Sequence, residues 1–225
     1  MARILIPATS PEDWKGFLAE PDKHWRSGYS ARALAHCWQE ADGIPPDVLS
    51  VLSQAPSLKG LETIFAIPEY QVSLPGGSRP SQNDVWVLAK ANHGLVSIAV
   101  EGKVSEPFGP TIGEWFSEHS SGKERRLRFL SSELGLAYPP SQEMRYQLFH
   151  RTASAIIEAK RFRAEHAVMV VHSFSPANEW FEDYQNFLSL FGLSGEVNRV
   201  VSMNLSPKLS LHFAWVHGSE RYLKV

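Results

Sequence analysis

A single cysteine, Cys37, stands among 225 residues, which excludes an internal disulfide and a Cys-rich zinc site. Thiol scarcity fits a reducing compartment, so the cytoplasm is the expected location. Long apolar runs are also missing. Stretches such as 167–171 fall far short of the roughly 20 residues that span a bilayer, and no membrane partner is expected. The opening MARILIPATSPEDW lacks the apolar segment of a secretory signal. Net charge is nearly absent: 22 Lys and Arg against 24 Asp and Glu leave −2, without the strongly basic balance of a typical nucleic-acid binder. No G-x-S-x-G, Walker A or G-x-G-x-x-G motif occurs, which removes the common serine-hydrolase, P-loop and dinucleotide signatures. Repeats, low-complexity tracts and composition shifts are absent too, so one domain over 1–225 is the simplest organisation.

Hydrophobic residues make up 43% and charged residues 20%, ordinary globular composition. A chain of this length can bury a sizeable core unaided. A short strand is expected at 3–6, and a helix at 11–19 behind a Thr9 or Ser10 cap. A clear helix at 30–42 has Ser30 as N-cap and Gly43 as stop, with Leu34, Cys37, Trp38 and Ala41 on one face. Another helix follows Pro45-Pro46. Residues 61–74 are strand-like but interrupted by Pro68, and 75–83 (PGGSRPSQN) reads as a loop. A hairpin joins 84–90 to 95–104 around Ala91–Gly94. Helices follow: one capped by Thr111, one from Ser121 to Leu134, and a long one at 142–164 opened by Pro139-Pro140-Ser141. The chain then gives a strand at 166–174, a helix at 178–191 stopped by Gly192, and strands at 197–204 and 209–216. This order predicts an α/β fold of the α+β kind, a central mixed sheet flanked by helices.

The hairpin holds the informative residues. If Ala91 to Gly94 form the turn, paired positions sum to 185, and Asp84 falls opposite Glu101. Opposed side chains share a face, with Cβ atoms roughly 4.5–5.5 Å apart. Lys103, two residues on, joins that face. A turn one residue longer or shorter would send Asp84 to the other side. Two facing carboxylates repel unless something compensates, and a divalent cation with oxygen ligands does so.

The pattern of Asp84 followed by Glu101-Gly102-Lys103 at the end of the next strand resembles the PD-(D/E)XK nuclease superfamily. The tripeptide alone is unspecific, since Asp13-x-Lys15 and Glu158-x-Lys160 also carry it. Only Glu101-x-Lys103 ends an apolar strand with an Asp across a hairpin. The resemblance implies a restriction-endonuclease-like core over about 30–174, built as helix, three-strand meander, helix and strand, with 175–225 as an elaboration. It also implies divalent-metal-dependent hydrolysis of phosphodiester bonds. Asp84 and Glu101 would be metal ligands for Mg²⁺ or Mn²⁺, Lys103 the catalytic lysine, Glu40 a further ligand and Gln147 a polar residue facing the site, with Arg151 one turn on. The implied partner is nucleic acid, DNA more than RNA. Two departures stand out. Asn83 occupies the place of the family's Pro, with Pro80 four residues before Asp84, and two extra helices lie between Lys103 and Ser141.

Plainer readings of the same residues exist. Glu101 and Lys103 could be a solvated pair at an exposed strand end, and Asp84 a turn residue. Gln147, His150, Arg151 and Ser154 form a polar stripe of the kind that usually meets solvent. Lys123, Arg125, Arg126 and Arg128 form the one basic cluster, either a solvated helix face or a phosphate-tracking patch. His166 and His172 share a strand face with no third ligand in view, and Cys37 reads as a small buried hydrophobe. The competing functional classes are a non-catalytic interaction domain, homodimeric through exposed aromatics, and a hydrolase for a small phosphorylated molecule.

Overall fold

A computed structural model describes residues 8–225; the strand expected at 3–6 lies outside them. The helices are α1 (Pro21–His24), α2 (Ser30–Ala41), α3 (Pro46–Leu52), α4 (Ile112–Phe116), α5 (Ser121–Glu133), α6 (Tyr146–Phe162) and α7 (Phe181–Ser189). The strands are β1 (Glu62–Val72), β2 (Ser81–Ala91), β3 (Gly94–Lys103), β4 (His166–Ser173), β5 (Arg199–Ser206) and β6 (Leu209–His217). They form one six-stranded mixed sheet in the order β1-β2-β3-β4-β6-β5. The first three strands are an antiparallel meander. β4 runs parallel to β3 and β6 parallel to β4, while β5 closes the far edge antiparallel to β6. Parallel neighbours need a long crossover, and the segment holding α4, α5 and α6 supplies it between β3 and β4.

Helices cover both faces. On one, Leu34 and Trp38 of α2 and Val48 and Leu52 of α3 pack on Val85, Val87, Val100 and Val170. On the other, Leu148, Phe149 and Ile156 of α6 and Phe187 of α7 pack on Ala99, Met169, Phe213 and Trp215. Burial from both sides explains why β4, HAVMVVHS, is buried at every position and does not alternate. Among the described residues no helix is long and apolar enough to cross a membrane.

Distant contacts and local capping shifted several boundaries. The long helix begins at Tyr146 rather than 142. The preceding backbone is committed to α4 instead: Gly113 and Ile112 donate their N–H groups to the carbonyls of Gln142 and Met144 at 2.9 and 2.8 Å. Ser30 is the first helical residue and not the cap; its N–H, one of the unpaired donors of the first turn, is taken by Glu106 Oε1 at 3.1 Å. The segment at 11–17 is a 3-10 helix, and Ser120 rather than Ser121 caps α5. Residues 81–83 belong to β2, where Asn83 Nδ2 donates to the carbonyl of Tyr70 on β1 at 3.1 Å. The two helices that fell outside the expected core close its second face through Ile112, Leu127 and Leu130. Arg126 is not a phosphate-tracking residue. It is buried and holds the loop before β2, donating to the carbonyls of Pro75 and Gly77 at 2.9 and 3.1 Å.

Candidate active site at the ends of β1, β2 and β3

The β2–β3 pairing sums to 185 from Ala91↔Gly94 to Val85↔Val100. It stops one step short of Asp84 and Glu101. Beyond that point the Asp84 side chain continues the contact, its Oδ2 accepting from the Gly102 N–H at 2.7 Å. A Cβ on Gly102 would stand 3.3 Å from both Asp84 Oδ2 and Leu34 Cδ2, so a side chain there would crowd this approach. On the other side, Pro68↔Val85 and Tyr70↔Asn83 set Glu69 across from Asp84. Glu69, Asp84 and Glu101 therefore occupy one row across three adjacent strands. Glu69 holds a left-handed backbone, φ 51°, unusual for a non-glycine residue inside a strand.

These carboxylates border a cleft of about 570 Å³, whose lining also includes Lys103, Gln147 and Arg151. The segment before α2, including Tyr29, contributes to its walls. Glu101 and Lys103 are each only 3% exposed, so they are not a solvated strand end. Glu101 Oε1 accepts from Lys103 Nζ at 2.6 Å and from Gln147 Nε2 at 2.8 Å. Its Oε2 accepts from Arg151 Nε at 2.5 Å. Arg151 also reaches Asp84 Oδ1 at 3.9 Å and donates to Ser81 Oγ at 3.2 Å. Lys103 Nζ lies 4.8 Å from the centre of the Phe108 ring. The stripe on α6 is thus packed into the molecule.

Charge is unevenly balanced in this cleft. Burial works to raise the Glu101 carboxyl, but Arg151 and Lys103 outweigh it and hold it below the usual range. Asp84 is pushed upward, first by burial and then by the Glu101 charge, against the pull of Arg151. Glu69 is also raised, by burial and then by Asp84. Gln82 Nε2 donates to Glu69 Oε2 at 2.7 Å. His150 is pushed well down, by burial and then by Arg151, which favours the neutral imidazole.

Four residues singled out in the sequence, Asp84, Glu101, Lys103 and Gln147, come together here. Glu40 does not. It pairs with Arg221 at 2.7 Å and accepts from Tyr222 Oη at 2.9 Å. The start of α2 borders the cleft, and ten residues of helix carry Glu40 about 15 Å along the axis. Glu69 and Gln82 were missed, and Arg151 was noted only as a neighbour of Gln147. Pro68 marked the right place on β1, but the β1–β2 register could not be counted across the loop between the strands.

A second polar cluster lies on the opposite side of the sheet. Among the described residues, Cys37, Asp47 and His172 are the one group of three His, Cys, Asp or Glu side chains whose ligand atoms lie within 4.8 Å of one another. Burial pushes the Cys37 thiol up to about 12. Trp38 Nε1 lies 3.2 Å from His172 Nδ1, and an indole N–H can only donate. That places the ring proton of a neutral His172 on Nε2, where it faces Asp47 Oδ2 at 3.2 Å. With Nε2 protonated, His172 has no lone pair for an ion, and the group reads as a Trp–His–Asp hydrogen-bond chain beside a buried thiol.

No curated protein and no solved structure matches the chain. One family model does match, over residues 7–220, nearly the whole described structure, and its description is a domain of unknown function. The chain belongs to that family, DUF6946.

Proposed function

We propose that this protein is a divalent-metal-dependent nuclease that hydrolyses phosphodiester bonds in nucleic acid, DNA more than RNA. The supporting observation is the convergence of Asp84, Glu101, Lys103 and Gln147 on one cleft, with Lys103 Nζ 2.6 Å from Glu101. The helix, three-strand meander, helix, strand order around that cleft agrees with a restriction-endonuclease-like core.

The donor set fits Mg²⁺ or Mn²⁺. It consists of hard carboxylate oxygens, from three acids set in one row on the border of the same cleft. Asp84 and Glu101 would hold the ion. When bound, such an ion activates water and neutralises charge on phosphate. Lys103 is fixed by Glu101 and Gln147 with its ammonium against the cleft, placed to orient a water or to offset charge growing on the phosphate oxygens. Arg151 keeps Glu101 ionised, and neutral His150 adds no competing positive charge.

Purified protein incubated with single- and double-stranded DNA and RNA in Mg²⁺ or Mn²⁺ should cleave at least one of them. Lys103→Met, which keeps an apolar stem beside Phe108, should abolish cleavage in a variant whose folding is confirmed by circular dichroism at the assay temperature. No cleavage by the wild type, or equal cleavage by the variant, refutes the reading.

One observation favours a second reading. The Arg151 guanidinium already bridges towards both Asp84 and Glu101, as a permanent counter-ion would. A non-catalytic domain that keeps this fold would then bind no Mn²⁺ in the cleft.

A further inference from the structure

The row of three acids is not uniform in what its oxygens are doing. Glu101 receives three side-chain donors, from Lys103, Gln147 and Arg151, so most of its roughly four lone-pair sites are taken. Asp84 uses Oδ2 on the Gly102 N–H, and its Oδ1 has only the distant Arg151 at 3.9 Å. Glu69 accepts on Oε2 from Gln82 at 2.7 Å, its one side-chain hydrogen bond among the described residues. Open lone pairs therefore lie chiefly on Asp84 and Glu69, which face each other across the β1–β2 ladder and border the same cleft. Gln82 fixes Glu69 as an outer-sphere donor would, orienting the carboxylate and leaving one oxygen free.

We propose that Glu69 is a metal ligand of this site, joining Asp84 and Glu101 on the divalent cation, with Glu101 also anchoring Lys103 and Arg151. This rests on the metal-dependent reading above. The ligand set then comes from β1 and β2 as much as from β3. Lys103 and Arg151 border the same cleft, where they could meet a phosphate group.

The test is Mn²⁺ binding to the metal-free full chain, followed by electron paramagnetic resonance and by calorimetry, without any substrate. Glu69→Gln keeps an oxygen that can accept from Gln82 but loses the charge. It should weaken Mn²⁺ binding about tenfold or more, while Lys103→Met binds at least as well as the wild type. A Glu69→Gln variant that binds Mn²⁺ as the wild type does overturns the inference and leaves the nuclease reading standing. A wild type that binds Mn²⁺ through Glu69 yet cleaves no nucleic acid supports the inference and sinks the nuclease reading. A wild type that binds no Mn²⁺ overturns both. Should Glu69→Gln misfold, Glu69→Asp replaces it. Withdrawing the carboxylate by one methylene should still weaken binding, and unchanged affinity would again overturn the assignment.

Discussion

Removing the Arg151 guanidinium tests how the cleft holds its charges. In Arg151→Met the apolar stem survives, but Glu101 Oε2 loses its donor and Asp84 its nearest cation. The pair is deeply buried, with side-chain exposures of 8% for Arg151 and 3% for Glu101. Breaking such a pair from one side costs about 3–5 kcal/mol, because the remaining charge is left uncompensated. Lys103 and Gln147 still hold Oε1, which puts the expected loss near the lower end, about 3 kcal/mol. That is a large share of the roughly 5–15 kcal/mol that stabilises a typical domain. Glu101→Gln should cost a similar amount by stranding two buried cations, Lys103 and Arg151. The double variant removes one charge of each sign, so it should be more stable than the sum of the two predicts, by about 1–3 kcal/mol. Urea titrations at pH 7.5 with a chelator present give the three midpoints at constant slope. A loss below about 1 kcal/mol in Arg151→Met, or strict additivity in the double variant, would refute this account of the site.

Two further expectations concern the histidines. Ser202 Oγ, His212 and His166 form a hydrogen-bonded chain, at 2.7 Å from Ser202 to His212 Nδ1 and 3.1 Å from His212 Nε2 to His166 Nδ1. Burial, and then His166, pull the His212 pKa down to about 4 from an ordinary 6.5. The unfolded chain therefore binds more protons between those values, and stability from this group is lost as pH falls from 6.5 to 4, by about 3 kcal/mol. Urea midpoints across that range should fall less steeply in His212→Gln, and an unchanged slope would exclude His212 as the source. The second expectation is that Trp38→Phe frees His172 to move its proton to Nδ1. Cys37, Asp47 and His172 should then take up Co²⁺ with visible thiolate absorption, whereas the wild type should not. Absorption in the wild type would show that the Trp38 contact does not govern the tautomer.

Much of this architecture was legible from local pattern. The Ala91–Gly94 turn gave the β2–β3 register, and with it the alignment of Asp84, Glu101 and Lys103, because a strand repeats every two residues. The helix at 30–41, the buried run of β4 and the polar face of α6 were visible for the same reason. Boundaries failed where a distant group captured the backbone. Glu106 took the Ser30 N–H, and residues 142–145 were held by α4. Glu40 shows the limit of a motif. Residue type and helix placement matched, yet distance along α2 and the Arg221–Tyr222 contact took it elsewhere.

The sequence by itself determined the order of elements, the mixed α/β class and the hairpin that sets Asp84 against Glu101, since each follows from local periodicity and turn length. Only the tertiary structure decided that Glu69 completes the row and that Arg151 claims Glu101. It also showed that Cys37, Asp47 and His172 meet. Those contacts depend on pairings across long chain separations, and on which buried charge finds which partner, which no local repeat encodes.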